Sequence, residues 1–142
     1  MSADEQLLQD TEVYIKDFFA DHIRPEYVFH DLEHTVQTVA AVRMIAEGFQ
    51  LDKQDMLIVQ LATWFHDTGY SDGPKDHEAR SCVNAEAYLR GKISDEDLES
   101  VQGCIRSTKV PQQPTNLMQQ IICDGDLSHL GMESYWDRTG KF

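Results

Sequence analysis

The stretch from Met56 to Phe65 is apolar on most sides when wound as a helix. A helix without a polar face has to be covered on all sides by other elements, so this one belongs at the centre of the molecule. It runs directly into His66-Asp67-Thr68-Gly69-Tyr70. A histidine and a carboxylate side by side at the end of a buried helix are a plausible metal-binding pair, provided the rest of the chain supplies partners.

The surrounding periodicity is helical nearly throughout, and no stretch alternates as a strand. The expected fold is therefore all-α, about six helices around the buried one, in one domain spanning residues 1–142. A first amphipathic helix is expected over Asp4 to Asp21, with Leu7, Leu8, Thr11, Tyr14, Ile15, Phe18 and Phe19 on one face. Pro25 should break the pattern, and Tyr27-Val28-Phe29 reads as a packed connector. Asp31 is the expected N-cap of a second helix ending near Gly48, and Asp52 that of the central third helix. Ser71-Asp72-Gly73-Pro74 has the composition of a loop. A fourth helix should run from about Asp76 to Arg90. Ser94-Asp95-Glu96-Asp97 resembles a capping box opening a fifth, and its acids form a solvated first turn. Pro111 and Pro114 bracket a loop before a sixth helix from Thr115 or Asn116, which reaches or breaks around Asp124-Gly125-Asp126. Glu133 to Phe142 lack a closing element for Tyr135-Trp136 to pack on, so the chain reads as a fragment or as lacking a C-terminal helix.

Charge and composition restrict the function. A formal net charge of -13 argues against a nucleic-acid duplex or an anionic membrane surface, both of which call for basic patches. It leaves room for a small phosphorylated substrate, because a bound divalent cation reverses the local field inside a pocket. No apolar run is long enough to span a bilayer, and the acidic start Met1-Ser2-Ala3-Asp4-Glu5 is unlike a signal peptide. Cys82, Cys104 and Cys123 form no paired motif and read as buried small hydrophobes in a reducing cytoplasm.

The six histidines are His22, His30, His34, His66, His77 and His129. His30 and His34 lie one helical turn apart on one face. With His34 on the second helix, His66-Asp67 closing the third and Asp126 following the sixth, antiparallel packing around the buried helix lets two imidazoles and two carboxylates meet at one point. Mixed N/O ligation of that kind suits Mn, Fe, Co, Ni or Zn, with Mg less favoured by the imidazoles. A cation so held makes water a usable nucleophile near neutral pH and polarises a phosphoryl oxygen.

That ordered set, with its flanking strings, resembles the HD-domain metal-dependent phosphohydrolases. The strings are Phe29-His30-Asp31-Leu32-Glu33-His34-Thr35, Phe65-His66-Asp67-Thr68-Gly69-Tyr70 and Asp124-Gly125-Asp126-Leu127-Ser128-His129-Leu130-Gly131, the last similar to the closing motif of a bacterial subgroup. The likeness runs from about Tyr27 to Gly131. It implies an HD-type helical bundle with a metal held by His34, His66, Asp67 and Asp126, and the lack of any histidine from Glu78 to Ser128 favours one metal per chain. The first string is also similar to that of the cyclic-nucleotide phosphodiesterases, which implies that His30 protonates the leaving oxygen. Asp31 stands where those strings carry Asn, which bears on how His30 is oriented.

The activity implied is hydrolysis of a small phosphomonoester or phosphodiester, nucleotides favoured, with His30, Asp67, His77 and Lys109 as candidate catalytic residues. His77-Glu78 stands at a helix start, where acids favour the dipole; His77 is also a candidate for phosphate or second-metal contact. Lys109 suits a helix C-terminus and is equally a candidate phosphate ligand, with Arg80 and Arg106 weaker ones. Asp126 has a rival role as the cap of a segment starting at Leu127. Two other readings stand beside the hydrolase. A di-iron oxygenase of the HD type would need further histidines, and none occurs from Glu78 to Ser128. A non-catalytic module keeping a structural metal would have no use for His30.

Overall fold

The computed structural model describes residues 2–23, 25–73 and 75–127, with residues 25–30 and 72 described by backbone alone. It is all-α. The described residues form α1 (Ala3–His22), α2 (Pro25–Gly48), α3 (Lys53–Phe65), a 3-10 turn (Thr68–Asp72), α4 (His77–Leu89), α5 (Asp95–Ser107) and α6 (Leu117–Leu127), and contain no strand. None of these helices is long and apolar enough to cross a membrane.

α3 contacts each of the other five helices, as its apolar circumference requires. Every residue from Leu57 to Phe65 is buried. The two polar residues in that run bond back to their own helix. Thr63 Oγ1 donates to the carbonyl of Val59 (2.6 Å) and Gln60 Nε2 to that of Met56 (3.0 Å), so neither is left unpaired in the core. Ile15 and Phe19 of α1, Val42 and Ala46 of α2, Val101 and Ile105 of α5 and Ile121 and Ile122 of α6 close around Leu61 and Phe65.

Local chemistry accounts for the helix starts. Asp52 accepts from the amide of Asp55 (2.8 Å), Ser94 from that of Asp97 (3.1 Å) and Asn116 from that of Gln119 (2.9 Å). In place of the reciprocal bond of a capping box, the Asp97 carboxylate accepts from Gln54 Nε2 and ties α5 to α3. Gly91, with φ +86°, follows the end of α4 in the left-handed region where glycine is favoured.

Three expectations are corrected. α2 begins at Pro25, not after Asp31: proline is tolerated in the first helical turn, where its missing N–H has no partner to lose, so it opens the helix. Tyr27-Val28-Phe29 are consequently helical, and Asp31 lies inside α2. The stretch after Asp67 winds into a 3-10 turn before its loop. The sixth helix does reach Asp124-Gly125-Asp126, as expected, but it does not break there and Asp126 does not cap a segment starting at Leu127; all three residues lie inside α6, which runs to Leu127. The expectations for Ser128, His129 and the closing residues, including a missing C-terminal helix, fall outside the described residues.

Candidate metal centre

The C-terminus of α3 determines the position of His66, which is 1% exposed. Its Nδ1 lies 2.7 Å from the carbonyl oxygen of Thr63. A carbonyl only accepts, so the ring proton sits on Nδ1 and the Nε2 lone pair faces the other way. It faces two carboxylates: Nε2 is 3.1 Å from Asp126 Oδ1 and 3.4 Å from Asp67 Oδ2. His34, from α2, brings its own Nε2 to 3.4 Å from each of the same two oxygens. His34, His66 and Asp67 each offer a ligand atom within 4.8 Å of the others, and Asp126 Oδ1 reaches both imidazoles.

Two imidazoles sharing two carboxylate oxygens need something positive between them, either protons on the nitrogens or a cation. Without a cation, a proton on the His66 imidazole meets part of that need. Burial pushes the ring toward the neutral form, but Asp67 and Asp126 overcome that and raise its pKa from 6.5 to about 10. Burial likewise opposes ionisation of both aspartates; the imidazoles of His66 and His34 outweigh it and hold each below the ordinary carboxylate range, with His77 adding to the effect on Asp67. An N₂O₂ donor set fits a divalent transition metal, and a ligand histidine whose other nitrogen bonds a backbone carbonyl is the usual supporting arrangement. His34, Asp67 and Asp126 keep side-chain exposures of 15, 16 and 17%, so a small ligand can reach them while His66 is sealed behind.

The second oxygen of each carboxylate is also engaged. Asp67 Oδ1 lies 3.4 Å from Nε2 of His77, which is 3.1 Å from Glu78 Oε2. Asp126 Oδ2 accepts from Gln112 Nε2 at 3.1 Å. Tyr70 stacks on His77, with centroids 4.0 Å apart. Burial and the carboxylates of Asp67 and Glu78 raise the Tyr70 pKa, so its hydroxyl remains a donor at neutral pH.

The backbone behind the pair is tightly held. Ser81 Oγ donates to the carbonyl of His66 and accepts from the amide of Gly69, both at 2.8 Å. A Cβ on Gly69 would fall 1.9 Å from the carbonyl oxygen of His77, so only glycine lets the 3-10 turn lie against the start of α4. Arg80 Nε donates to the carbonyl of Gly69 (2.9 Å) and a terminal nitrogen to that of Gly73. Its contacts buttress this turn.

His34, His66, Asp67, Asp126 and His77 therefore come together. His30 lies in α2 one turn before His34, and its side chain is outside the described residues. Lys109 does not join the group. Its side chain is 66% exposed, its Nζ is 4.0 Å from Asp76, and it lines a cleft of about 420 Å³ with Arg106, Val110 and Pro111. Among the described residues, no acid or histidine lines that cleft. His22 is exposed against the ring of Phe18. Gln112, Thr63, Ser81 and Tyr70 escape a reading of the sequence. None is a ligand type in a recognisable spacing, and each meets the site through a fold contact. Comparison with protein-family models, curated proteins and solved structures returned no match.

Proposed function

We propose that the chain is a metal-dependent phosphohydrolase of the HD-domain type, acting on a small phosphomonoester or phosphodiester, with nucleotides the leading class. The observation that carries this reading is the approach of His34 Nε2 and His66 Nε2 to Asp67 Oδ2 and Asp126 Oδ1, each nitrogen lying 3.1–3.4 Å from each oxygen, with the His66 tautomer held by Thr63. These four residues would hold one divalent ion, Mn, Fe, Co, Ni or Zn before Mg. When bound, such an ion lowers the pKa of water and polarises a phosphoryl oxygen.

The chain's own residues supply the rest. His66, enclosed and anchored through Nδ1, sets the orientation of the group. Asp67, between the imidazoles of His34 and His66 on one side and His77 on the other, stays ionised. His77 and Tyr70 form an aromatic wall beside the carboxylates, with the tyrosine hydroxyl available to a substrate oxygen. His30 is the proton donor to the leaving oxygen, one helical turn from His34.

The test is elemental analysis of protein purified without chelators, followed by turnover on a panel of phosphate esters with added Mn, Co or Ni. The expected result is bound metal and hydrolysis, with His30→Ala retaining the metal while losing about 100- to 10,000-fold in rate. Absence of bound metal together with no hydrolysis in any added metal rejects the hydrolase reading.

A further inference from the structure

We propose that Gln112, in the segment between α5 and α6, is a positioning residue for Asp126 and thereby for the metal; the proposal rests on the metal-centre reading above. Gln112 Nε2 donates to Asp126 Oδ2 (3.1 Å) and to the carbonyl of Thr108 (3.2 Å). Both partners are pure acceptors, so the amide orientation is determined: the amino group faces them and Oε1 turns away. The consequence for Asp126 is a division of labour. Oδ1 lies between the imidazoles of His34 and His66, while Oδ2 is tied to Gln112. A carboxylate free at both oxygens can swing or chelate through both; one tethered at Oδ2 presents a single oxygen to a cation.

Two further observations support this. Oε1 of Gln112 is buried and has no donor among the described residues. A buried acceptor without a donor is costly, so the two bonds made by Nε2 are what keep the amide in this pose. The same amide also ties Asp126 to the Thr108 end of α5, so metal capture and the conformation of the 108–114 segment are linked through one side chain. Gln113, the next residue, lines the neighbouring cleft and has no part in this arrangement.

The test uses Co²⁺ alone, titrated into the full chain, reading both the dissociation constant and the visible absorption of the bound ion. Gln112→Met removes the donor at nearly constant length, and Gln112→Asn keeps a polar side chain too short to reach. Both are expected to weaken Co²⁺ binding about 10- to 100-fold and to change the absorption band, because Asp126 gains freedom to ligate differently. Gln113→Ala is expected to match wild type in both readouts. A merely structural role for Gln112 would leave the spectrum of the loaded protein unchanged. If wild type binds Co²⁺ and a folded Gln112 variant matches it in affinity and spectrum, the Gln112 proposal is overturned and the metal centre stands. If wild type takes up no Co²⁺, the metal centre itself is wrong and both readings fall.

Discussion

At the scale of single residues, His66 is where burial and charge compete most directly. In chelated protein its imidazole is raised to about 10 by Asp67 and Asp126 against the opposing effect of burial. A group whose folded pKa lies above its unfolded value contributes stability that is complete below about 6.5 and lost as pH rises toward the folded value. Asp67 and Asp126, held below the ordinary 3.8, contribute stability present above that pH and lost in acid. Metal-free protein should therefore be most stable between about pH 4 and 6.5, and its urea midpoint should fall from pH 6.5 to 10. His66→Gln should flatten the alkaline limb, and a flat wild-type profile would show that no imidazolium is held there. Ser81 offers a second measurement. Ser81→Ala leaves the Gly69 amide without its acceptor and the His66 carbonyl without its donor, at about 1–3 kcal/mol by chemical denaturation.

At the scale of elements, the site depends on how closely α6 approaches α2. A Cβ on Gly125 would lie 2.4 Å from Val42 Cγ2 and 3.2 Å from Val42 N. The glycine beside Asp126 is thus the point where the two helices meet, and it brings Asp126 Oδ1 within 3.4 Å of His34. Gly125→Ala should cost about 1–3 kcal/mol from overpacking and should weaken metal binding by moving α6 outward. Adding Val42→Ala removes the side-chain clash but not the backbone one, so recovery of the thermal midpoint should be partial. Full recovery would place the strain in the Val42 side chain alone. In the sequence, Asp-Gly-Asp reads equally well as a helix terminus, because glycine is a poor helix former; only the contact with Val42 explains why it sits mid-helix.

At the scale of the whole molecule, the four proposed ligands come from two helices, α2 and α6, and from the two residues that follow α3, and α3 supports all of them. Phe65→Ala, which empties a site with no solvent exposure directly before His66, should destabilise by about 3–5 kcal/mol and loosen the centre as well. Because a ligand that binds only the folded chain stabilises it by mass action, Co²⁺ or Mn²⁺ at 100 times its Kd should add about 2.7 kcal/mol, reversed by chelator. A melting temperature that ignores added metal would contradict the centre even if every mutant behaved as expected.

The sequence alone determined that the protein is all-α with Met56–Phe65 at its centre, since an apolar circumference admits no other place. It also named His34, His66, Asp67 and Asp126 as a group, because ligand-type residues are recognisable by kind and by their place on helices. It misplaced the start of α2, since Pro25 is compatible with both a break and a first turn. The tertiary structure decided which oxygen of each aspartate faces which imidazole, that Lys109 stands apart at Asp76, and that Gln112, Ser81, Thr63 and Tyr70 surround the group. Those are contacts between residues distant in the chain or set by backbone geometry, and helical periodicity carries no information about them.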